Sequence, residues 1–597
     1  MRVVLKSLFK QLQRACFMAG FLFVDISVIA QDEWSIEQLN DLAQVETWQH
    51  LVFLHRKRPE IVTPGFYLAK KHNSRDELQE TLTLFKNDEQ AKCKFPARYY
   101  WLSKQLDFAF LKQDLSECKQ LPERIKKFNI LFISGYLKNP ASSFGHVLVS
   151  VQSTPTERLL ANAYNFGAEI PENENSLVYM VSGVVGRYSG SFSKGDYYKH
   201  DVYYSSRENR DIWEYTLNLT DEERTLLTYH LHELTRFKFN YYFFKQNCAY
   251  RTAEILEFID GLKITKRKTP WFSPEYIMNE LVEFDEKSER DLITSINYRP
   301  SVQTELHEQF KLLTVNQQYE INDILKSGQL NQLSDFNELE RDQIIYFLLR
   351  YVELKRQEKP EIQKYADLRT ALVRLRIQSP TADEAVTDIK INQISSIDGP
   401  KPSQIGVKFG TEYGGNFVMY QRDPLNEGTA LNMSFKVLDM QYSRRNGENN
   451  IAVDLMNTTK LYDLSHRLYG EQKISWTMNM GLQTDPFDTL QRLHFVEAGA
   501  GIAYGLGLQS IIYQLFTSSV HDQNQHIDLK SKSGILFKSN QLAAQAEYQQ
   551  IFRGAKQIMQ FDLTLRKRLD KHLDARLKFS KNSYFNPQVT LDLNHYW

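Results

Sequence analysis

The stretch Asn240-Tyr-Tyr-Phe-Phe-Lys-Gln-Asn-Cys248-Ala-Tyr-Arg-Thr-Ala-Glu-Ile-Leu256 leads an extended aromatic arm directly into a helix. Apolar residues recur at helical spacing between Ala249 and Leu256, and Asn247 is a favourable N-cap. Cys248 therefore falls in the first helical turn, where free backbone N–H groups and the helix dipole favour an anion. A thiol held there is expected to lose its proton more readily and to act as a nucleophile. The alternative, a small cysteine that closes a core, is the commoner fate of a lone cysteine.

A second stretch, Ser142-Ser-Phe-Gly-His146-Val-Leu-Val-Ser-Val151, offers an imidazole as the base for this thiol. Its alternation predicts that His146 opens a β-strand, which follows an apolar strand at 130–133. A thiol nucleophile needs a base within hydrogen-bond reach, and the base needs an orienting partner. Asn165, on the next predicted strand, is our candidate, because an amide can hold a histidine tautomer as a carboxylate would. The alternatives are a histidine satisfied by a backbone carbonyl and an asparagine that serves a turn before Gly167.

The oxyanion of an acyl intermediate needs hydrogen-bond donors. The backbone N–H of Cys248 is one candidate and the Asn247 side chain a second. Ser143 and Arg210 are further candidates for contacts to the oxyanion or the substrate. Arg210 could anchor a substrate carboxylate or pair with its neighbour Asp211, and pairing is the safer interpretation.

Three other histidines compete with His146 for the role of base. His200 lies in a predicted loop. His230 and His232 lie on a polar helix, which Thr220 opens with a capping-box pattern, and we interpret both as solvated. His146 remains our prediction for the base.

Composition excludes several classes of protein. Lys+Arg and Asp+Glu both number 73, so the formal net charge is zero and no basic field predicts a nucleic-acid partner. The mean hydropathy of −0.47 excludes a bundle of membrane helices but not a β-barrel, whose strands are half polar. We predict no cofactor and no metal site, because the chain has no Cys-x-x-Cys pair and no matched histidine pair.

The first 30 residues are predicted to be a secretory signal peptide, with a basic start, an apolar core and a small-residue cleavage site at Val28-Ile-Ala30. Export would place the chain in an oxidising compartment, where Cys93 and Cys118 could pair. Cys248 would then remain as a free thiol.

With 597 residues the chain is long enough for two to four domains, and we predict a multidomain α+β protein. Residues 31–126 are predicted to form a helical accessory domain, 127–265 an α+β domain and 266–380 a helical segment. Residues 381–403, which contain Gly399, Pro400 and Pro402 and few large apolar residues, are the predicted linker. The glycine-punctuated stretch 183–195 is interpreted as a mobile flap or substrate loop.

Residues 404–597 follow a different pattern, in which apolar and polar residues alternate strictly. Met559, Phe561, Leu563 and Leu565, for example, alternate with polar residues. About twelve such segments of about ten residues predict an antiparallel outer-membrane β-barrel. The terminal Trp597 resembles the C-terminal assembly signal of such barrels. A soluble β-sandwich or closed barrel, which also alternates, is the alternative.

Three blocks of the sequence resemble the Lnb N-terminal periplasmic domain family in the same order. They are Asn139-Pro-Ala-Ser-Ser-Phe-Gly-His146, Asn209-Arg-Asp-Ile-Trp-Glu-Tyr-Thr-Leu-Asn-Leu219 and Phe239-Asn-Tyr-Tyr-Phe-Phe-Lys-Gln-Asn-Cys248. The family is similar to permuted papain-like enzymes, in which a histidine-bearing strand precedes a cysteine-bearing helix. The resemblance implies that Cys248 is the nucleophile and His146 the base. Lnb itself moves an acyl chain onto the amino terminus of a lipoprotein.

These features predict an exported cysteine-dependent acyltransferase or hydrolase in a Gram-negative envelope, anchored in the outer membrane by its barrel. The substrate would be a lipid or lipoprotein acyl group or a peptidoglycan peptide. Outer-membrane lipids and the barrel-assembly machinery are the other expected partners. The rival hypothesis is a barrel scaffold or pore whose papain-like domain is an inactive binding module.

Overall fold

The computed structural model describes residues 34–55, 59–119, 121, 125–137, 140–154, 159–171, 174–266, 271–378, 395–445, 447–507, 509–522, 527–584 and 586–597. The predicted signal peptide and most of the predicted linker lie outside these residues. None of the described helices combines the length and apolar character needed to cross a membrane.

The N-terminal region is helical, as predicted. Its helices are α1 (Ile36–Gln44), α2 (Glu46–Leu51), α3 (Ser74–Asn87), α4 (Ala91–Lys94) and α5 (Pro96–Gln105). The stacked rings of Trp48 and Trp101, 5.8 Å apart, lie in its core. Cys93 and Cys118 form a disulfide with Cα atoms 5.4 Å apart, the pair that the sequence suggested.

A buried arginine joins this helical region to the rest of the protein. The Arg98 guanidinium donates to Glu77 at 2.9 Å and to Glu233 at 3.0 Å, and all three side chains are fully buried. It also lies over the rings of Phe66 and Phe95. Since Glu233 belongs to the following domain, the accessory helices are held to that domain by charge as well as by apolar packing.

The middle domain is built on one antiparallel sheet of seven strands in the order β6-β4-β3-β2-β1-β5-β7. Its strands are β1 (Lys127–Ile133), β2 (His146–Gln152), β3 (Asn162–Ala168), β4 (Tyr188–Asp196), β5 (Ile212–Leu217), β6 (Lys238–Tyr241) and β7 (Ile293–Arg299). Its helices are α6 (Ser176–Val184), α7 (Tyr197–Asp201), α8 (Asp221–Leu234) and α9 (Cys248–Leu256), with a π-helix at Val202–Arg207.

Both faces of this sheet are buried, because successive side chains of a strand point to opposite faces. Val147 and Val149 face α9 and the accessory helices. Leu148 belongs to a smaller core with Tyr197 and Tyr204 on the other face.

Two predictions for this region are wrong. The glycine-punctuated stretch is not a loop, because it forms the end of α6 and then β4, which lies inside the sheet. Residues 266–380 are also not wholly helical, because β7 extends the sheet beside β5. Short polar strands such as β7 carry no apolar run that would reveal them, and pairing with an existing edge defines them.

The remaining helices are α10 (Pro274–Lys287), α11 (Val302–Leu312), α12 (Val315–Ser327), α13 (Glu338–Glu358) and α14 (Gln363–Gln378). Helices α11 to α14 share a core of their own, which also includes Leu468 from the C-terminal domain. Tyr351 donates to the Tyr469 carbonyl at 2.8 Å, so this helical segment is docked on the loop at 461–474.

The C-terminal domain is a closed antiparallel barrel of twelve strands, which confirms the predicted architecture. Its strands are β8 (Gln404–Gly410), β9 (Tyr413–Arg422), β10 (Met433–Arg445), β11 (Glu448–Lys460), β12 (Ser475–Asp485), β13 (Asp488–Gly507), β14 (Ser510–His521), β15 (Ile527–Lys538), β16 (Leu542–Arg553), β17 (Lys556–Arg568), β18 (Leu573–Asn582) and β19 (Gln588–Tyr596). The last strand, β19, pairs with the first, β8.

The outer face of the barrel is a belt of exposed apolar side chains. Its members include Ile405, Val407, Phe409, Ile502, Ile512, Phe516, Val520, Leu529, Ile535, Phe537, Met559, Phe561, Leu565, Leu577 and Leu591. A continuous apolar surface of this extent is unfavourable in contact with water and favourable in contact with the hydrocarbon of a bilayer.

The inner face carries buried charged side chains, beside a smaller apolar cluster, and hydrogen-bonds to a segment that folds into the lumen. Arg566 donates to the Leu425 carbonyl at 3.0 Å, and Arg576 donates to Asp423 at 2.7 Å and to Asn426 at 2.9 Å. Residues 423–429, between β9 and β10, are therefore anchored inside the wall near the end that carries the other domains.

Candidate functional site

Cys248 is the first residue of α9, and Asn247 is its N-cap, as the sequence predicted. The Asn247 side chain accepts a hydrogen bond from the Tyr250 N–H at 3.1 Å. The thiol is partly buried and unpaired. Further along the helix, Arg251 donates to Glu60 of the accessory region and to Glu254, both at 2.6 Å. The helix that carries the thiol is thus fixed by buried ion pairs.

The thiol sulfur faces three backbone N–H groups, those of Val147, Cys248 and Ala249. They lower its pKa, but burial dominates and raises the pKa of Cys248 to about 11. The expectation of an acidic thiol is therefore wrong for this state of the molecule. Burial destabilises the thiolate by more than the helix N-terminus stabilises it.

This shift has a measurable consequence for chemical modification. With a pKa near 11, only about one thiol in 10,000 is ionised at pH 7, so alkylation of Cys248 by iodoacetamide is expected to be slow. The rate should rise about tenfold per pH unit up to about pH 10, because the thiolate is the reactive form. Intact-mass spectrometry follows the reaction, and Cys248→Ser provides the unlabelled control. A rate that is already constant between pH 5 and 8 would show a thiolate–imidazolium pair instead.

His146 and Asn165 are brought together. His146 Nε2 lies 2.6 Å from the Asn165 Oδ1 oxygen. Because an amide oxygen only accepts, Nε2 carries the proton and Nδ1 keeps the lone pair that a base needs. Burial, with Arg210 nearby, lowers the pKa of His146 to about 4. The imidazole is consequently neutral at pH 7.

His146 lies at the first position of β2, at the edge where α9 begins. The thiol interacts with the backbone of Val147, the next residue, so the two candidate groups share one end of the sheet. Within the described residues no hydrogen bond joins the thiol to the His146 ring. In this state the thiol and the imidazole are both neutral at pH 7 and, among the described residues, are not hydrogen-bonded to each other.

The sequence did not identify Tyr204 as part of this site. Its ring lies 5.9 Å from that of His146 and 6.2 Å from that of His200. The Arg210 guanidinium lies over the same ring, 5.2 Å from its centroid. Tyr204 belongs to the π-helix, a distortion that often occurs at functional sites but has no sequence pattern of its own.

Arg210 is not free to bind a substrate. Its guanidinium donates to the Ser134 carbonyl at 2.6 Å and to Glu208 at 2.8 Å. Pairing with Asp211 is also wrong, because the Asp211 carboxylate accepts from the Ser301 N–H. Arg210 instead holds the end of β1 and places a positive charge near both Cys248 and His146.

The other proposed contact residues have local partners. The Asn247 amide donates to the carbonyls of Phe243 and Phe272, at 2.9 and 2.8 Å, so both of its hydrogens are in use. The buried Ser143 hydroxyl donates to the Tyr136 carbonyl at 3.5 Å. Neither side chain points to an oxyanion in this state.

The competing histidines are placed elsewhere. His230 and His232 are buried, so their interpretation as solvated is wrong. The ring of His230 stacks on Phe53 at 5.6 Å, far into the core that joins the accessory helices to the sheet. His200 lies beyond Tyr204, where burial lowers its pKa.

A narrow cavity of about 30 Å³ lies over the thiol, large enough for about two water molecules. Besides Cys248, it is lined by Phe144, Gly145, Tyr241, Phe243, Phe244, Asn247, Trp271, Phe272, Ser273, Pro274, Met419 and Tyr420. Met419 and Tyr420 belong to the barrel strand β9. One wall of the cavity is therefore supplied by the barrel.

The barrel contact at this cavity is specific. Arg422 forms a buried ion pair with Glu275 of α10 at 2.6 Å, and Tyr420 donates to the same carboxylate at 2.9 Å. The Phe144 ring, two residues before His146, lies 4.7 Å from the ring of Tyr420. These contacts fix the barrel wall against the loop that carries His146.

A larger cavity lies elsewhere. It measures about 1780 Å³ and lies between the middle domain, the helical segment and the barrel, where Tyr136, Asp211, Trp213 and Lys460 line it. Cys248 does not line it. The smaller cavity is the candidate site, because Cys248 and its N-cap Asn247 line it.

The fold and the belt define a class: an outer-membrane β-barrel protein that carries folded domains on one side of the membrane. Residues 123–280 match the family model of the Lnb N-terminal periplasmic domain. The chain thus contains this periplasmic domain followed by a twelve-stranded barrel, which confirms the resemblance and places the protein in the outer membrane with periplasmic domains.

The flanking regions match families without an assigned function. Residues 40–105 match a domain of unknown function (DUF7843) and residues 423–596 another (DUF7840). A search of curated proteins finds no match.

Among solved structures the chain is similar to "KdgM porin" and to "NanC porin structure in rhombohedral crystal form.". Each has 6% identity and a TM-score of 0.23, with 33% of this chain and 98% of that chain covered. A third, "Asymmetric conductivity of engineered proteins", has 7% identity and a TM-score of 0.13, covering 34% of this chain and 100% of that one. Likeness at this level carries no inference about this chain.

Proposed function

We propose that the protein is a thiol-dependent acyltransferase or hydrolase of the cell envelope. The observation that carries the proposal is that the Cys248 thiol, at the start of α9, lies against the backbone of Val147, the residue that follows His146, whose ring nitrogen is held by Asn165. A helix-initial cysteine, a histidine with one ring nitrogen held by an amide and backbone N–H groups near the sulfur are the parts that acyl transfer through a thioester requires.

The neutral resting pair determines the order of proton movements. His146 Nδ1 takes the proton from the Cys248 thiol as the sulfur attacks the substrate carbonyl. The backbone N–H groups of Cys248, Ala249 and Val147 receive the negative charge that forms on the carbonyl oxygen. Collapse of this intermediate breaks the ester or amide bond, and the leaving alcohol or amine takes the proton from His146. Water or an acceptor amine then attacks the thioester and restores the thiol.

An acyl chain is the substrate part that the surroundings favour. The cavity over the thiol is lined mostly by aromatic rings, and a membrane barrel supplies one of its walls. Apolar walls favour a hydrocarbon chain over a charged peptide, because they offer little to replace the water around charges. A lipid or lipoprotein acyl group is therefore our first choice and a peptidoglycan peptide our second.

Two observations favour a second candidate function, an inactive binding module on a barrel scaffold. Burial raises the pKa of the thiol, and no hydrogen bond joins it to His146 among the described residues. Apo sites often show such open geometry and close only around a substrate. We therefore keep the enzyme as the first proposal.

The test is direct capture of the thioester. The full-length protein, in vesicles made with alkyne-tagged phospholipid, is expected to acquire a tagged acyl group that neutral hydroxylamine removes. Hydroxylamine cleaves thioesters at neutral pH and leaves amides intact. A protein that stays unlabelled with both the lipid and a tagged envelope peptide would favour the binding module.

The orienting role of Asn165 predicts a specific loss. Asn165→Ala is expected to lower kcat about 100-fold with little change in KM, because a freely rotating imidazole rarely presents Nδ1 to the thiol. The acid limb of the pH–rate profile should move to lower pH, since the Asn165 hydrogen bond raises the pKa of His146.

A matched control is available for this variant. The Ser193 hydroxyl donates to the Asn165 backbone carbonyl at 3.3 Å on the exposed side of the strand, so Ser193→Ala should leave kcat within about twofold. Loss of activity in Asn165→Ala without any shift of the pH profile would mean that the residue only supports the fold.

A further inference from the structure

Helix α6 presents an apolar face to solvent. Val178, Val181, Val184 and Val185 are 49%, 63%, 49% and 55% exposed. Their spacing of three and four residues places them along one side of the helix. The sequence from Ser176 to Gly186 contains no charged residue. Such a row of exposed valines is unfavourable on a surface in contact with water and is typical of an interaction surface.

The end of this helix is attached to the thiol cavity. The Phe243 N–H donates to the Gly183 carbonyl at 2.8 Å. The Phe243 side chain lines the cavity together with Trp271 and Met419. Phe243 therefore connects the end of α6 to the cavity over Cys248.

The same cavity touches the membrane belt. The ring of Trp271 lies 5.9 Å from that of Phe417 on β9. Phe417 pairs directly with Ile405 and Met440, which are 51% and 40% exposed on the outer face of the barrel. Directly paired residues share one face of a sheet, so Phe417 belongs to that face too. Trp271 thus connects the lipid-facing surface to the cavity that Phe243 also lines.

Basic side chains flank the valine face. Arg187 follows α6, and Lys245 is exposed beside the aromatic arm. Within the described part of the chain neither forms an ion pair. Glu174, the acidic residue nearest to the start of the helix in the sequence, accepts a hydrogen bond from the Tyr188 hydroxyl. An apolar stripe with free cations at its edge suits the boundary between phosphate headgroups and acyl chains.

We propose that α6 lies in the periplasmic leaflet of the outer membrane, with its valine face among the lipid acyl chains and Arg187 and Lys245 at the phosphates. The partner is therefore the lipid surface itself. The docking does not depend on the thiol chemistry, so the two proposals are tested independently. It would hold the cavity over Cys248 at the level of the leaflet.

Fluorescence quenching tests this placement in the full-length protein. In a Cys248→Ser background, single cysteines at Val181→Cys and Val185→Cys are labelled with bimane, and the protein is reconstituted in vesicles of phosphatidylethanolamine and phosphatidylglycerol. Lipids with a nitroxide near the top of the acyl chain are expected to quench both positions. The loss of fluorescence should match that of Phe516→Cys on the barrel belt.

Two exposed positions on the helical segment, Leu312→Cys and Val315→Cys, provide the matched control and should not be quenched. Quenching at Val181 and Val185 no greater than at these controls would overturn the proposal. To separate docking from local unfolding, Val181→Asp with Val185→Asp should abolish quenching at Val178→Cys while far-UV circular dichroism stays unchanged. Persistent quenching in that variant would also overturn it.

Discussion

Cys248→Ala is expected to abolish the hydroxylamine-labile acyl adduct and to reduce turnover at least about 1,000-fold, the largest effect of any single substitution in this protein. The reason is chemical, since in the proposed mechanism the Cys248 sulfur forms the bond to the acyl carbon. Cys93 and Cys118 are held in a disulfide and cannot replace it. The measurement is the fraction of tagged protein after exposure to alkyne-labelled lipid, together with the rate of product release.

The fold should survive this change. Asn247 still caps α9, and Arg251 still holds the helix through Glu60 and Glu254. Cys248→Ser, which keeps a hydroxyl in place of the thiol, is the isosteric control and is also expected to be nearly inactive. His146→Ala should lose turnover while the thiol remains alkylatable at high pH. An alanine variant at 248 that still acquires the labile adduct would refute the mechanism.

Arg98→Met is expected to lower the free energy of unfolding of the periplasmic region by about 3–5 kcal/mol, because it leaves two carboxylates buried without a cation. Glu77 and Glu233 are both fully buried, and Arg98 is the cation that hydrogen-bonds to each. Methionine keeps most of the volume between the rings of Phe66 and Phe95, so the loss would report the charge rather than a cavity.

Pulse proteolysis in urea measures this loss without requiring the barrel to unfold. Lys104→Met is the matched control, since Lys104 pairs with Glu222 at 3.4 Å on the surface and should change stability by less than about 0.5 kcal/mol. Adding Glu233→Gln to Arg98→Met should restore part of the stability. Equal stability of Arg98→Met and the parent protein would show that these carboxylates are already neutral.

Much of the architecture follows from local patterns. The alternation in Met559–Leu565 predicts barrel strands because only a two-faced wall repeats with a period of two. Asn247 predicts the start of α9 because its side chain satisfies a free N–H of the first turn. Such signals depend on a few neighbouring residues, and distant contacts do not override them.

Other features required coordinates. Burial of Cys248 reverses the expected direction of its pKa shift. The residues that surround the thiol come from distant segments of the chain, such as Phe144 and Tyr420, so the sequence around Cys248 does not reveal its desolvation. Tyr204 enters the site through a π-helix that has no sequence pattern. Strand β7 exists because an edge of the sheet was available to pair with it.

By itself the sequence determined the kinds of element and the candidate nucleophile, base and orienting amide, because periodicity and capping act over a few residues. The tertiary structure alone decided the environment of those groups. It placed residues of the barrel strand β9 at the cavity over the thiol, gave Asn247, Ser143 and Arg210 local hydrogen-bond partners, and left α6 with an exposed apolar face. The reason is that desolvation and long-range ion pairing are set by contacts between distant parts of the chain, such as Arg422 with Glu275.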